Sequence, residues 1–190
     1  MNLTDNIFKA INLASSLHVS QIRKDNITPY ISHCFAVAWI VANYVNDEDI
    51  IVAALLHDTI EDVEGFTYDN ILIAFGKRVA DLVYNVSEPK YDQNSNEKLS
   101  WEARKIAYLD KIKNGSVDAL YISVADKIHN IKSILNDYSI FGDKIWSLYN
   151  STKAQQLHHY TQVLQIAKNR LQSPIINELE SILAQFSKII

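Results

Sequence analysis

Seven of the 190 residues are glycine or proline, and between these few breakers apolar residues recur at helical spacing. Ordinary usage of the two residues is about 12 %. Scarcity at this level excludes collagen-like, low-complexity and linker-rich chains. It also argues against a turn-dense β-sandwich, which wants turn residues every 8–12 positions or so. Neither GxGxxG nor GxxxxGK[ST] occurs, so no glycine loop is available to wrap phosphate in backbone amides. The expectation is an all-α, multi-helix chain.

The breakers set the helix boundaries. Ile7, Ile11, Ala14 and Val19 mark a first helix from Asp5 to Gln21. Ser32 to Tyr44 is a second, with Phe35, Ala36, Trp39, Ile40 and Ala42 inward. Asp47 is an N-cap for a third, Asp49 to Asp62, which Gly65 stops. The apolar run Ile50–Leu56 alone could pass for a buried strand, but it continues to Asp62 without a breaker, which decides for helix. Thr67 caps a short helix before Gly76, and Lys77 to Val86 forms the next. Pro89 and Tyr91 to Lys98 read as a loop. Ser100 caps a helix to Lys113, Val117 to Tyr138 is the next, Lys144 to Leu171 follows Gly142, and Pro174 opens the last. No linker or repeat divides the chain. One domain over residues 1–190 is expected, with a motif core at about 14–135 and C-terminal helices 144–190 packed on it.

A net charge of −4 provides no basic field for nucleic acid or an anionic membrane. The longest apolar run is far below a membrane span. No secretory signal opens the chain, and Cys34 has no intramolecular partner. Together these features predict a cytoplasmic protein with neither nucleic acid nor membrane among its partners.

His57-Asp58 followed by Glu61-Asp62 carries the most chemistry. On a helix, His57 shares a face with Glu61 and Asp58 with Asp62. An apolar run leads into them, so the cluster sits at the inner end of a buried helix. Three partly buried carboxylates beside an imidazole repel one another, and a divalent cation is the simplest relief; a solvated acidic helix end is the bland alternative. His33 opens the second helix beside an apolar face, and Asp126 lies among Leu120, Ile122, Val124, Ala125 and Ile128. An unpaired carboxylate there is costly, and Lys127 next door could pair with it.

The order His33, His57-Asp58, Asp126 resembles the H…HD…D signature of HD-domain phosphohydrolases. Arg23-Lys24 with Thr28-Pro29-Tyr30-Ile31-Ser32-His33 is similar to the RKxxxTPYIxH segment of RelA/SpoT-type alarmone hydrolases. Ala53 to Asp62 is similar to their AALLHDTVED motif, Phe75-Gly76 with Val79, Leu82 and Val83 to FGxxVxxLV, and Val124 to Asn130 to LADKLxN. The similarity runs in order from about Ala14 to Leu135.

The resemblance implies an all-α hydrolase fold that binds one Mn²⁺ and removes the 3′-pyrophosphate of ppGpp and pppGpp. Carried over by motif, His33, His57, Asp58 and Asp126 would hold the metal, for which Zn²⁺ and Fe²⁺ are less suited substitutes. Glu61 and Asp62 would be the catalytic carboxylates, orienting water and shuttling protons. Arg23 and Lys24 would approach substrate phosphates, and Asn130 would contact the nucleotide. Ser123 stands where relatives carry a Lys, and Asp25-Asn26-Ile27 lacks the usual loop glycine. The motifs do not separate ppGpp from another phosphorylated nucleotide, such as NADPH or a nucleoside monophosphate. A non-catalytic nucleotide sensor or partner-binding helical module is the reading from another class.

Other residues receive structural assignments. His158-His159, with Gln155, Gln156 and Gln162, reads as a solvated helix face. His129 points about 100° away from Asn130 on a helix and is taken as structural. Trp39, Trp101 and Trp146 read as packing residues, and nothing singles out Tyr149 or Tyr160 for closing over a base. Lys105, Lys111 and Lys113 form a small basic patch, with Arg104 a weak candidate for phosphate contact.

Overall fold

The structure, a computed structural model, describes residues 2–92, 95 and 97–190. Positions 93, 94 and 96 of the expected Tyr91–Lys98 loop lie outside the described residues. The order of elements is α1 (Asp5–Leu17), α2 (Ile31–Ala42), α3 (Glu48–Leu56), α4 (Thr59–Asp62), α5 (Tyr68–Phe75), α6 (Lys77–Val86), α7 (Trp101–Asn114) and α8 (Val117–Phe141). A 3₁₀ segment (Gly142–Leu148), α9 (Lys153–Arg170), α10 (Ile175–Phe186) and a last 3₁₀ turn (Ser187–Ile189) complete it. The described residues form no sheet; two isolated bridges, Ile22 to Pro29 and Tyr91 to Lys98, pin loops.

Helix α8 is the axis. At 25 residues it is about 37 Å long, and α2, α3, α6, α7, α9 and α10 all pack on it. A helix surrounded this way must be apolar on nearly every side: Leu120, Ile122, Val124, Ala125, Ile128 and Ile131 are fully buried. Helix α3 is the other buried element, with all of Ile50 to Leu56 inside between α1, α2, α6 and α8. Each fully buried Ile or Leu contributes roughly 1.5–3 kcal/mol relative to an exposed one. α10 packs on α8 and α9, which joins the C-terminal helices to the same hydrophobic core.

Local chemistry sets the ends. The Asp47 carboxylate accepts from the amides of Asp49 and Ile50 and starts α3. Thr67 and Asn70 form a reciprocal capping box, and Ser100 accepts from Ala103 N at 3.1 Å. Gly142 ends α8 at φ 59°, a conformation that glycine adopts without strain.

Four boundaries or faces differ from expectation. α1 stops at Leu17, leaving Val19 82 % exposed. α2 turns Phe35 and Trp39 outward and buries His33, Cys34, Val37, Ala38, Ile40 and Val41; the helix is apolar all round, so spacing alone could not set its phase. The helix read from Asp49 to Asp62 is interrupted at Asp58 (φ −94°, ψ −4°), between α3 and α4. The helix read from Lys144 to Leu171 begins only at Lys153. Asn150, Ser151 and Thr152 compete for backbone groups, and Thr152 with Gln155 forms a fresh capping box.

Candidate active site

The break between α3 and α4 lies where the chemistry collects. His57 donates its Nδ1 proton to the Ala54 carbonyl at 2.8 Å, which turns Nε2 inward. From α2, His33 brings its own Nε2 to 3.1 Å from that atom. Asp58 Oδ2 is 3.3 Å from His33 Nε2 and 3.1 Å from His57 Nε2. The ligand atoms of these three residues lie within 4.8 Å of one another. From α8, Asp126 Oδ1 reaches 3.3 Å from His33 Nε2 and 4.0 Å from His57 Nε2. Residues 93 positions apart in sequence thus present two imidazole nitrogens and two carboxylate oxygens to one point.

Charge follows geometry. Burial works against the carboxylate of Asp58, yet His57 and His33 hold it well below the usual range. Burial opposes Asp126 as well, and Lys127, whose Nζ is 2.5 Å away, holds it low. For His57, burial favours the neutral ring, but adjacent Asp58 lifts it to about 9. The lone aspartate in an apolar helix is therefore paired with its neighbour, as α8 required.

The two further carboxylates occupy unlike surroundings. Glu61 is pushed up to about 8 by burial, then by Glu88, Asp58 and Asp62, and it accepts from the Glu88 amide at 3.1 Å. Asp62 accepts from Tyr30 Oη at 3.1 Å and from Lys90 Nζ at 3.2 Å. Tyr30 also donates to Asp58 Oδ2 at 2.7 Å. Burial, Asp58 and Asp62 raise the Tyr30 phenol far above its ordinary value, so it stays protonated.

The turn before α2 places the cations. Asn26 takes φ 61°, a conformation Asn tolerates in place of glycine, and Asp25 Oδ1 accepts from the amides of Ile27 and Thr28. Arg23 then reaches Asn130 Oδ1 at 3.1 Å and Ser133 Oγ at 3.4 Å. Asn130 itself donates to Asp126 Oδ1 at 2.5 Å. Lys24 Nζ sits 3.6 Å from the centroid of Tyr149; burial and Arg23 lower it to about 8. All nine residues singled out from the motifs line one cavity of about 530 Å³.

Several neighbours were not legible in the motifs. His129 is not merely structural: its Nδ1 is 2.7 Å from His33 Nδ1. Tyr30 and Lys90 bind the acidic residues, and a tyrosine inside a quoted motif was the available signal for the first. Ser123 shares a 2.7 Å hydrogen bond with Tyr108. His158 is exposed, but His159 and Gln156 are buried and line the cavity, because α9 turns that face onto α7 and α8. Trp101 also lines the cavity.

A profile of the HD domain matches residues 10–151. The chain is 34 % identical over 131 residues to the guanosine-3′,5′-bis(diphosphate) 3′-pyrophosphohydrolase MESH1 of Xenopus tropicalis, covering 67 % of this chain and 69 % of that one. The human MESH1 is 35 % identical over the same shares. A probable chloroplastic GTP diphosphokinase of Arabidopsis thaliana is 36 % identical over 138 residues, of which the match spans 68 % of this chain and 19 % of the relative. Among solved structures, a metazoan ortholog of SpoT superposes with TM-score 0.74 at 23 % identity over 97 % of each chain. A Listeria monocytogenes protein superposes with TM-score 0.71 at 28 % identity, covering 82 % of this chain and 99 % of that one. The matched segment contains all nine residues singled out from the motifs, and the chain belongs to the HD domain family.

Proposed function

We propose that this protein is a metal-dependent pyrophosphohydrolase that releases pyrophosphate from the 3′ position of guanosine 3′,5′-bis(diphosphate), the reaction that the names of its MESH1 relatives state. The observation that carries it is the convergence of His33, His57, Asp58 and Asp126 within one cavity that also holds Glu61, Asp62, Arg23 and Lys24. Two imidazole nitrogens and two carboxylate oxygens at 3.1–4.0 Å fit a divalent transition ion, and Mn²⁺ suits the mixed nitrogen and oxygen set. When bound, such an ion supplies positive charge to phosphate oxygens and acidity to water.

The chain's own groups divide the remaining work. Asp62, held by Tyr30 and Lys90, orients the attacking water and takes its proton as the water oxygen joins the phosphorus. Glu61, protonated up to about pH 8, gives a proton to the departing 3′-oxygen as its bond to phosphorus breaks. The raised carboxyl of Glu61 suits it to the part of the acid. Arg23 and Lys24 answer substrate charge, and Asn130, fixed between Arg23 and Asp126, orients the nucleotide.

A substrate panel on Mn²⁺-loaded protein, with metal analysis, tests the reading. Pyrophosphate release from the alarmone is expected. Turnover of NADPH or a nucleoside monophosphate with none from the alarmone would overturn the substrate while leaving the metal chemistry.

A further inference from the structure

The cavity has two arms, and the motifs account for one. Along α8, Asn130 and Ser133 lie on the C-terminal side of Asp126, facing Arg23. On the N-terminal side, Ser123 is tied to Tyr108 of α7. The ten residues from Ser123 to Ser133 span about 15 Å of helix, so Asp126 stands between two directions rather than at one end. The second arm is walled by α7 and α9, which Gln155 and Glu102 join through a 2.9 Å hydrogen bond.

This arm contains buried polar groups with nothing to bind. Gln156 is 5 % exposed and His159 3 %, and both line the cavity. Among the described residues, Gln156 Nε2 and both ring nitrogens of His159 lack a hydrogen-bond partner. An unanswered buried polar atom is costly, and three such atoms on one turn of α9 are far from the usual rate. The arm is also cationic. Lys105 pairs with Glu88, Lys127 lies 4.5 Å from the Tyr108 centroid, and Arg104 lines the same wall. Burial and then Lys127 and Lys105 drive His159 down to about 2, so its ring remains a neutral donor and acceptor. Neutral donors beside Arg104 and beside the Lys105–Glu88 and Lys127–Asp126 pairs suit an anion, whose oxygens accept from all of them.

We propose that the α7–α9 arm, through Gln156, His159 and Lys105, is a subsite for the terminal phosphoryl group of a diphosphate whose inner phosphoryl group lies at the His33, His57, Asp58 and Asp126 cluster. This rests on the pyrophosphohydrolase reading and extends it by giving the leaving diphosphate its own binding groups. Gln156 and His159 are specificity residues that distinguish a diphosphate ester from a monophosphate ester.

The test is isothermal titration of stoichiometrically Mn²⁺-loaded protein with inorganic pyrophosphate and with orthophosphate. The unaltered protein is expected to bind pyrophosphate at least about 10-fold more tightly, the worth of one or two hydrogen bonds to a charged group. The double variant Gln156→Leu, His159→Phe should lose that preference while keeping its affinity for orthophosphate and Mn²⁺. A preference retained in the variant, or absent from the unaltered protein, overturns the proposal. If thermal melting shows the double variant unfolded, Gln156→Glu serves instead: it should weaken pyrophosphate and spare orthophosphate, and equal binding of both overturns the subsite. Weakened guanosine binding with pyrophosphate unchanged would assign the arm to a base and likewise overturn it. Pyrophosphate preference lost in the variants, in a protein that releases none from the alarmone, supports the subsite and rejects only the substrate.

Discussion

His33 and His129 share a hydrogen bond between their Nδ1 atoms at 2.7 Å. Burial, His33 and Arg23 lower His129 to about 3, which keeps its ring neutral. With His33 donating and His129 accepting, His33 Nε2 is left facing Asp58 and Asp126. Such a partner fixes tautomer and orientation of a ligating ring. His129→Leu is expected to weaken Mn²⁺ binding by about 10–100-fold, read by titration calorimetry, and His129→Gln, which retains an acceptor, should recover part of it. Equal metal affinity in all three proteins would leave His129 with packing alone.

Asp58 sits within 3.3 Å of both imidazole nitrogens and accepts from Tyr30. Asp58→Ala removes a negative charge and one donor atom from the cluster. Metal binding and activity should disappear together, by metal analysis and pyrophosphate release. Activity retained in this variant would mean that the cluster is not the reaction centre.

Glu61 accepts from the Glu88 amide and faces the same cavity as His33, His57, Asp58 and Asp126. Glu61→Gln should retain Mn²⁺ and lose turnover by about 10²-fold or more. Its pH signature is separate. The folded carboxyl titrates near 8, against an unfolded value of 4.5, so the folded state holds the extra proton. Its contribution to metal-free stability is complete below about 4.5 and is lost as pH rises through about 8. Denaturant titrations across that window should show the unaltered protein losing stability relative to Glu61→Gln. Parallel curves would contradict the raised value.

Tyr30 bridges Asp58 and Asp62 with one hydroxyl. Tyr30→Phe deletes a hydrogen bond to a charged group while keeping the ring stacked 5.2 Å from His18. Turnover should fall by about 10-fold with the melting temperature little changed. A variant as active as the parent would remove Tyr30 from the positioning of Asp62.

Ile128 is fully buried on α8, two residues beyond Asp126. Ile128→Ala should destabilise the fold by about 2–5 kcal/mol in urea denaturation. A change within 0.5 kcal/mol would contradict the close packing assigned to α8.

The amino-acid sequence by itself determined the helices and the shortest-range chemistry. Asp47, Thr67 and Ser100 cap where their side chains reach amides two or three residues on, an interaction spelled out locally. His57, Asp58, Glu61 and Asp62 are neighbours because six residues of chain hold them close, and Asn130 reaches Asp126 one helical turn away. Tertiary structure decided what those residues face. α2 is apolar on all sides, so only its packing against α3 and α8 chose His33 and Cys34 as inward and Trp39 as outward. His129 meets His33 across 96 residues, and no local spacing encodes that approach. His159 followed the same rule: a polar run on α9 read as solvated, yet packing of α9 on α7 and α8 buried it beside the cations of the second arm. Periodicity reports which side of a helix is apolar; which polar groups are driven inside depends on how several helices close around a shared centre.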